Sequence, residues 1–286
     1  MRIRIVRPPR SAPAPVILVL LSACGGGGGD SGGGGPPPPP PTNQSPGGIW
    51  TVEYAEASGP NTGDTIQARA LVTETGDLFY AGINTTNGCA TVGFGQVTVN
   101  GSTVAGSTND AIVLFSQAGG VNTTCTYPDG STSGTSTLSG TLAQRSSLGL
   151  TVTSTTSGGK ALGSETHTWS YSSLYAETPS LATVAGNYAD GSDTLTVSSD
   201  GTIFEQDPVS GCVVNGQASV VNPTYNGYNL TFTYSNCTGS AAVLNGITVT
   251  GLGYYDDSVS PNEIVVGLHA TVNGHVIVVA GILPKM

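Results

Sequence analysis

The feature that most constrains this chain is a period-two alternation of apolar and polar residues in short runs. Apolar side chains recur at every second position over residues 230–234 and again over 264–272, which is the pattern of strands with one buried face. Asp200-Gly201 and Asn273-Gly274 separate such runs and predict hairpin turns. Helix formers are scarce, since only 9% of residues are charged, whereas Gly accounts for 42 of 286. The sequence therefore predicts an all-β chain.

The number and spacing of these runs indicate the architecture. There are about eight short runs in each half, at the regular spacing typical of barrels and sandwiches. Consecutive hairpins favour an up-and-down meander, and closure of such a meander removes exposed strand edges. We predict two tandem small antiparallel β-barrels of about eight strands each, with two β-sandwiches as the alternative.

The N-terminus has the pattern of an export signal. Residues 1–10 carry four arginines, and the apolar run 16–21 is too short to span a bilayer, which needs about 20 apolar residues. The run ends in the tetrapeptide LSAC, whose last residue is Cys24. This resembles the lipobox of bacterial lipoproteins. The resemblance implies that Cys24 is diacylated, becomes the new N-terminus after cleavage and then receives a further acyl chain such as palmitate, so that the protein is held at the lipid bilayer.

The same resemblance implies a location in the cell envelope. Gly25 stands where lipoproteins retained at the inner membrane of enterobacteria carry Asp, which favours the outer membrane, with the protein facing the periplasm or the cell surface. We predict a signal peptide at 1–23, the lipidated Cys and a flexible Gly/Pro-rich tether at 24–47, a first β domain at 48–179 and a second at 180–286. A tether of this composition spans on the order of 30–40 Å.

The two predicted domains share the same order of sequence features, which indicates an internal repeat with its junction near Pro179. Each half has a Gly-x-aromatic triplet, then a Gly-Cys pair, then a second Cys. In chain order the matching features are Gly48-Ile49-Trp50, Gly88-Cys89 and Cys125, then Gly186-Asn187-Tyr188, Gly211-Cys212 and Cys237. The Gly-x-aromatic triplets are similar to those of lipocalin and avidin-like small β-barrels. The rest of the lipocalin signature is not evident, so no ligand-binding residues are carried over.

Four cysteines remain after Cys24, an even number in an exported protein, which predicts disulfides. Three pairings are open, and the repeat favours Cys89–Cys125 and Cys212–Cys237. A zinc site is disfavoured, because zinc ligands usually occur as Cys-x-x-Cys pairs or with a nearby His, and the three histidines are far from every Cys in the sequence.

No catalytic constellation is evident. His269 and His275 flank a predicted hairpin turn, and His167 lies in a predicted strand; we interpret all three as exposed or half-buried strand residues. The pair Asp256-Asp257 is the best candidate for glycoside hydrolysis by two carboxylates, but we interpret it as an acidic turn. We therefore predict a non-enzymatic protein in which histidines and carboxylates do not converge in one cleft.

Charge and composition exclude further classes. Asp190, Asp193 and Asp200 are candidates for calcium binding, but ordinary turn chemistry accounts for them, and we predict neither a metal nor a cofactor. The net charge of −10 becomes −14 when the four arginines of the signal peptide are lost. Binding to nucleic acid needs clustered Lys and Arg, and the predicted mature chain has none.

We predict a non-catalytic binding module for a small molecule, peptide or glycan. The alternative is a structural or adhesive protein that contacts another envelope component or a host surface. A hollow barrel with a few inward polar groups favours the first, and a barrel filled by apolar side chains with exposed patches favours the second. Candidate interior aromatics, for ligand contact or for core packing, are Trp50, Phe79, Trp169, Tyr188, Phe204 and Tyr234.

Overall fold

The computed structural model describes residues 4–6, 43–56, 62–115, 125–190, 193–272 and 275–286. The chain is all-β and forms two antiparallel meanders of eight strands in tandem, with one further short strand. Cys24 and most of the predicted signal peptide and tether lie outside the described residues. In the described part, no helix is long and apolar enough to cross a membrane.

The first half is a closed barrel of strands β2–β9. Each strand pairs with the next, and β9 returns to β2 through Ile49↔Ser172, Trp50↔Tyr171 and Thr51↔Ser170. The strands are β2 (Gly48–Ala55), β3 (Thr65–Val72), β4 (Asp77–Asn84), β5 (Cys89–Asn100), β6 (Thr103–Leu114), β7 (Ser133–Ala143), β8 (Ser147–Thr156) and β9 (Ala161–Ser172).

The second half repeats the same strand order. Its strands are β10 (Gly186–Asp190), β11 (Asp193–Val197), β12 (Thr202–Gln206), β13 (Val213–Asn222), β14 (Tyr225–Ser235), β15 (Thr248–Asp256), β16 (Glu263–Val272) and β17 (His275–Pro284). The first and last of these strands meet at a single bridge, Tyr188↔Lys285, and the amide of Met286 donates to the carbonyl of Asn187 at 2.8 Å. The closed eight-stranded barrel predicted for the first half is confirmed, whereas the second half is a curled sheet whose end strands meet at one bridge and do not form a ladder. We call this curled sheet the second barrel.

A short strand, β1 (Arg4–Val6), pairs antiparallel with Val276–Val278 of β17. It falls within the predicted signal peptide. Short helices connect and cover the barrels: a 3₁₀ helix at Ser173–Ala176, α1 (Leu181–Val184) and a second 3₁₀ helix at Gly239–Leu244. Pro179 lies in the connection between the two barrels.

The predicted hairpin turn at Asp200-Gly201 joins β11 to β12, and Gly201 has a φ of +85°, which glycine adopts without a Cβ clash. Asn273-Gly274 lie outside the described residues. Their neighbours Val272 and His275 are paired across β16 and β17, as a two-residue hairpin requires.

The second barrel is filled by side chains. The alternating apolar residues that the sequence singled out in β14 and β16 point inward and join one buried cluster. Its most buried members include Tyr188, Leu195, Phe232, Tyr234, Val249, Leu268, Ile277 and Val279. The helix at Gly239–Leu244 covers one end of this cluster with the buried side chain of Leu244.

The two barrels pack against each other through a second apolar cluster. In β16, Val265 faces the first barrel while its neighbours Ile264 and Val266 face the interior of the second. Gly267 lies so close to the first barrel that a Cβ there would come within 2.0 Å of Phe79. Because much of β16 and β17 is buried on both faces, these two strands have long apolar runs, such as residues 264–266 and 276–280.

A charged cluster at the edge of this interface joins the two barrels. Arg69 on the outer face of β3 donates to Glu263 at 2.7 Å and lies 3.6 Å from Asp256. Arg145, in the turn between β7 and β8, donates to the hydroxyl of Tyr225, which begins β14. All of these contacts are made by side chains on the outside of the first barrel, and none of them uses a side chain that points into its interior.

The four cysteines form the two disulfides that the repeat favours, Cys89–Cys125 and Cys212–Cys237. In each barrel the disulfide joins the start of the fourth strand to the connection between the fifth and sixth strands. The glycines before the first Cys of each pair, Gly88 and Gly211, have φ values of +76° and +71°. The turn chemistry of the two halves is therefore the same at this point.

The Gly-x-aromatic triplets also have one structural role in both halves. The indole of Trp50 donates to the carbonyl of Pro46 at 3.3 Å, and the hydroxyl of Tyr188 donates to the carbonyl of Val184 at 2.7 Å. In both cases the acceptor lies four residues before the aromatic. A Cβ at Gly48 would come within 2.5 Å of the Trp50 indole nitrogen, so glycine is needed there.

The last residues of the predicted tether, 43–47, contact the first barrel. The amide of Gln44 donates to the carbonyl of Gly101 at 3.1 Å, and the amide of Gly101 donates to the side chain of Asn43 at 2.9 Å. We call this end of the first barrel the lower end. The opposite end, at which the Cys89–Cys125 disulfide lies, is the upper end.

Candidate functional site

The first barrel is hollow. A cavity of about 890 Å³ occupies its interior, within the range of about 300–1,000 Å³ that small-molecule pockets have. Every strand contributes to the wall, for example through Trp50, Ala68, Tyr80, Thr91, Asp110, Leu138, Leu150 and Trp169. The cavity exists because many inward positions of the upper half carry small residues, among them Gly82, Thr91, Gly93 and Ser154.

The lower part of the cavity is apolar. Its wall is the buried cluster formed by the lower ends of the strands, which includes Val72, Leu78, Val97, Val104, Leu138, Leu142, Leu148 and Leu150. Trp50 and Trp169, the two tryptophans of the chain, lie in this wall. Contact between this apolar surface and an apolar ligand of matching size removes both from water, which lowers the free energy.

One polar atom of this lower wall has no partner. The indole nitrogen of Trp169 is buried, and among the described residues it has no hydrogen-bond acceptor. A buried indole N–H usually finds an acceptor, because leaving it unpaired costs about 1–3 kcal/mol. The unpaired N–H is therefore a candidate donor to a bound molecule.

A buried carboxylate lies halfway up the wall. Asp110 on β6 accepts a hydrogen bond from the hydroxyl of Tyr80 at 3.0 Å and a second from the hydroxyl of Ser136, which is also 2.7 Å from the hydroxyl of Ser154. Burial raises the pKa of Asp110, although the hydrogen bonds from Ser136 and Tyr80 oppose that shift. The same burial, together with the charge of Asp110, raises the pKa of Tyr80 well above its ordinary value.

Gly93 on β5 makes room for this pair. A Cβ at Gly93 would come within 2.0 Å of the Tyr80 ring and 2.6 Å of the Asp110 carboxylate. The Tyr80–Asp110 contact therefore depends on a glycine on the neighbouring strand.

The upper part of the cavity carries aromatic and charged side chains. Tyr54 stacks on His167 with ring centroids 3.8 Å apart, and His167 lies 3.2 Å from the carboxylate of Glu165. Burial raises the pKa of Tyr54, and the charges of Glu165 and Glu56 raise it further. The pKa of Glu56 is raised by burial first and then by Glu165 and Asp64. In the described wall, Lys160 is the one Lys or Arg, and it is exposed at the upper end.

The prediction that histidines and carboxylates do not converge in one cleft was wrong for one histidine, because His167 lines the cavity together with Glu56, Asp110 and Glu165. His167 is half-buried in the cavity wall, as predicted for a strand residue, but paired with Glu165. The other described residues that were considered for catalysis lie apart from the cavity. His269 lies at the interface between the barrels, 4.5 Å from the Phe94 ring, and burial lowers its pKa. The side chain of His275 lies outside the described residues.

The aspartates considered for glycoside hydrolysis or calcium binding lie in turns, at a strand end or beside an arginine. Asp256 is buried near Arg69 and accepts a hydrogen bond from the amide of Ser258; Asp257, next to it, is exposed. Asp200 accepts from the amide of Thr202 in the predicted turn. Asp193 begins β11, and the side chain of Asp190 lies outside the described residues. In the described part of the chain, no group of three or more acidic, His or Cys side chains has the arrangement of a metal site.

The predicted interior aromatics have three different positions. Trp50 and Trp169 line the cavity, and Tyr188 and Tyr234 are packed in the core of the second barrel. The prediction of an interior position was wrong for Phe79 and Phe204. Phe79 points outward into the interface between the barrels, and Phe204 is 46% exposed on the outside of β12.

Sequence reasoning missed the polar residues of the cavity, above all Asp110, Tyr80 and Glu165. A signal for Asp110 was present, because alternation along β6 places it on the same inward face as Val104 and Ile112. A carboxylate at an inward position is unusual in a packed strand. Comparisons with protein families, with curated proteins and with solved structures found no match for this chain.

Proposed function

We propose that this chain is an envelope-anchored, non-catalytic binding protein whose first barrel holds a small molecule. The observation that carries the proposal is the cavity of about 890 Å³ in a closed barrel. An apolar lower part and a small number of polar groups above it are the usual composition of a ligand pocket. A peptide or glycan would have to enter the same space.

The second barrel supports the first rather than offering a second pocket. Its interior is packed, and the outer faces of β15–β17 are buried against the first barrel. This packing stabilises one side of the hollow barrel, which lacks a filled core in its upper half. The proposal therefore assigns ligand binding to β2–β9 alone.

Ligand binding is testable by intrinsic fluorescence, because both tryptophans of the chain line the cavity. The probe is N-phenyl-1-naphthylamine, an apolar fluorophore that accepts excitation energy from tryptophan. We expect saturable energy transfer at one probe per chain. A stoichiometry well above one, or no transfer, would contradict a single cavity site.

A cavity-filling variant with a matched control sharpens this test. In Gly82→Leu the new side chain enters the cavity, and a Cβ at Gly82 meets nothing closer than 3.5 Å. In Gly149→Leu the nearest atom is also 3.5 Å away, but the side chain points outward. We expect Gly82→Leu to weaken probe binding at least tenfold and Gly149→Leu to leave it unchanged. Equal effects of the two variants would place the probe outside the barrel.

Anchoring through Cys24 rests on the resemblance of residues 21–24 to a lipobox. The tether that follows reaches the barrel at its lower end, where residues 43–47 are bound. The test is mass spectrometry of the protein from the membrane fraction, with Cys24→Ser as the control. We expect a mature chain that begins at residue 24 and carries acyl chains; an unacylated chain with a different first residue would refute the anchor and leave the cavity proposal standing.

A further inference from the structure

The charges in the cavity wall are unbalanced. Three carboxylates line the described wall, those of Glu56, Asp110 and Glu165, whereas the one ammonium group, that of Lys160, is exposed at the upper rim. We propose that the ligand of the first barrel is an amine, a protonated ammonium group on an apolar body, bound with its charge at Asp110. This inference rests on the proposed function and names the chemical class of the ligand.

Asp110 is surrounded by neutral groups. The hydroxyls of Tyr80, Ser136 and Ser154 come from β4, β7 and β8, and they complete a chain of hydrogen bonds without a positive charge. A buried carboxylate needs a cation or several donors to offset the loss of hydration. Oδ1 of Asp110 accepts from Tyr80 and Oδ2 accepts from Ser136, and each oxygen has a further lone pair for another donor. An ammonium group supplies both the missing charge and the donors.

Aromatic groups around the carboxylate add to this preference. The Tyr80 ring lies beside Asp110, and the phenol of Tyr127 is also part of the wall. Burial raises the pKa of Tyr127, and the negative charge of Asp110 raises it further, as expected for two groups that face the same cavity. Aromatic faces attract ammonium groups, and more strongly where water is excluded.

The position of Asp110 fixes the orientation of the amine. Below the carboxylate lie the two tryptophans and the leucines of the lower wall, and above it lie Tyr54, His167 and the carboxylates of the upper end. The apolar body therefore fills the lower part, with the ammonium group directed upward. The unpaired indole N–H of Trp169 would favour a ligand whose apolar part carries a hydrogen-bond acceptor, such as an ether or carbonyl oxygen.

The test compares three ligands that differ in the head group alone: n-decylammonium, n-decanol and n-decanoate at neutral pH. Binding to the unmodified protein is followed by tryptophan fluorescence and by calorimetry. We expect the ammonium to bind about tenfold to hundredfold more tightly than the alcohol, as hydrogen bonds to charged groups allow, and the carboxylate to bind least. Equal binding of all three, or preference for the carboxylate, overturns the inference while leaving the proposed function intact. No binding of any of the three, together with no effect of Gly82→Leu on the naphthylamine probe, overturns both.

The variant Asp110→Asn tests whether Asp110 is the carboxylate that binds the ammonium group. We expect it to remove most of the preference for ammonium over alcohol while decanol binds as before. The matched control is Glu53→Gln, which removes an exposed carboxylate on the outer face of β2 and should leave the preference unchanged. A preference that survives in Asp110→Asn refutes Asp110 as the partner, as does an equal loss in both variants. If Asp110→Asn does not fold, the three-ligand comparison on the unmodified protein still decides the inference.

Discussion

The two barrels have the same strand order and a disulfide at the same place, yet one is hollow and the other is filled. The inward positions of the second barrel carry large side chains such as Tyr188, Phe232 and Tyr234, and Leu244 covers one end. The corresponding upper half of the first barrel has Gly82, Gly93 and Ser154. The difference shows that a meander of this kind does not need a full core, provided that one end is packed and the outer wall is supported.

The disulfides give the largest expected effect and test whether the barrels are equivalent. The loops that they close span 36 and 25 residues, so replacing either pair by Ser should lower the free energy of unfolding by about 3.5–4 kcal/mol in the chain-entropy description. Urea denaturation of the two double variants measures both losses. If one of them is below about 1 kcal/mol, that barrel does not depend on its disulfide and the equivalence fails.

Truncation of isoleucines should distinguish the filled interior from the hollow one. Ile203 is 2% exposed in the core of the second barrel, and Ile66 is 9% exposed in the wall of the cavity. Ile203→Ala should cost about 3–4 kcal/mol, because it opens a void in a packed core. Ile66→Ala should cost about 1 kcal/mol, because its side chain already faces empty space and has fewer contacts to lose. Equal losses in urea denaturation would mean that the cavity is not open in solution.

Glycine-to-alanine changes in the cavity wall give a smaller, local contrast. Gly93→Ala places a Cβ against the Tyr80 ring and the Asp110 carboxylate and should cost about 1–3 kcal/mol. Gly82→Ala meets only ordinary contacts at 3.5 Å and beyond, and should be neutral or stabilising by about 0.4–1 kcal/mol, since it restricts the unfolded chain. Thermal unfolding of the two variants checks both signs, and a neutral Gly93→Ala would show that the Tyr80–Asp110 pair moves without cost.

Local sequence signals predicted the meanders, the hairpin turn at Asp200-Gly201 and the pairing of cysteines. Alternation along β14 and β16 and the turn at Asp200-Gly201 depend on neighbouring residues, and the Cys pairs were assigned by comparing the two halves. The interface between the barrels was missed, although β17 is apolar at almost every position. A strand that is apolar on both faces packs against two partners, whereas period-two alternation indicates only one buried face.

The cavity was harder to predict, because it depends on which inward residues meet across the barrel. Asp110, Tyr80 and Gly93 come from three strands, and none of them forms a motif with its sequence neighbours. Phe79 was expected in the interior because it is aromatic, but its position next to Tyr80 on β4 places it outside. The inward or outward direction of a strand residue follows from register, which aromatic character alone does not reveal.

The pH dependence of stability should have opposite signs in the two barrels. Burial raises the pKa of Asp110, so the folded state binds the proton more tightly than the unfolded chain does. Its stabilising contribution is present below the unfolded pKa of about 4 and is lost as the pH rises through the folded pKa. In the second barrel, the hydrogen bond from Ser210 lowers the pKa of Asp207, so its contribution is present above pH 4 and is lost as the pH falls through the lowered value.

Single variants isolate these two contributions. Relative to the unmodified protein, Asp110→Asn should gain stability as the pH rises from 4 to 7, because the cost of a buried charge is absent from it. Asp207→Asn should gain relative stability as the pH falls from 4 to 3, because the charged group that it replaces stabilises the fold only above that range. Urea denaturation at each pH gives the two differences. If both variants show the same sign, Asp110 is not held in a desolvated site, and the hollow barrel is wetter at its centre than its hydrogen bonds indicate.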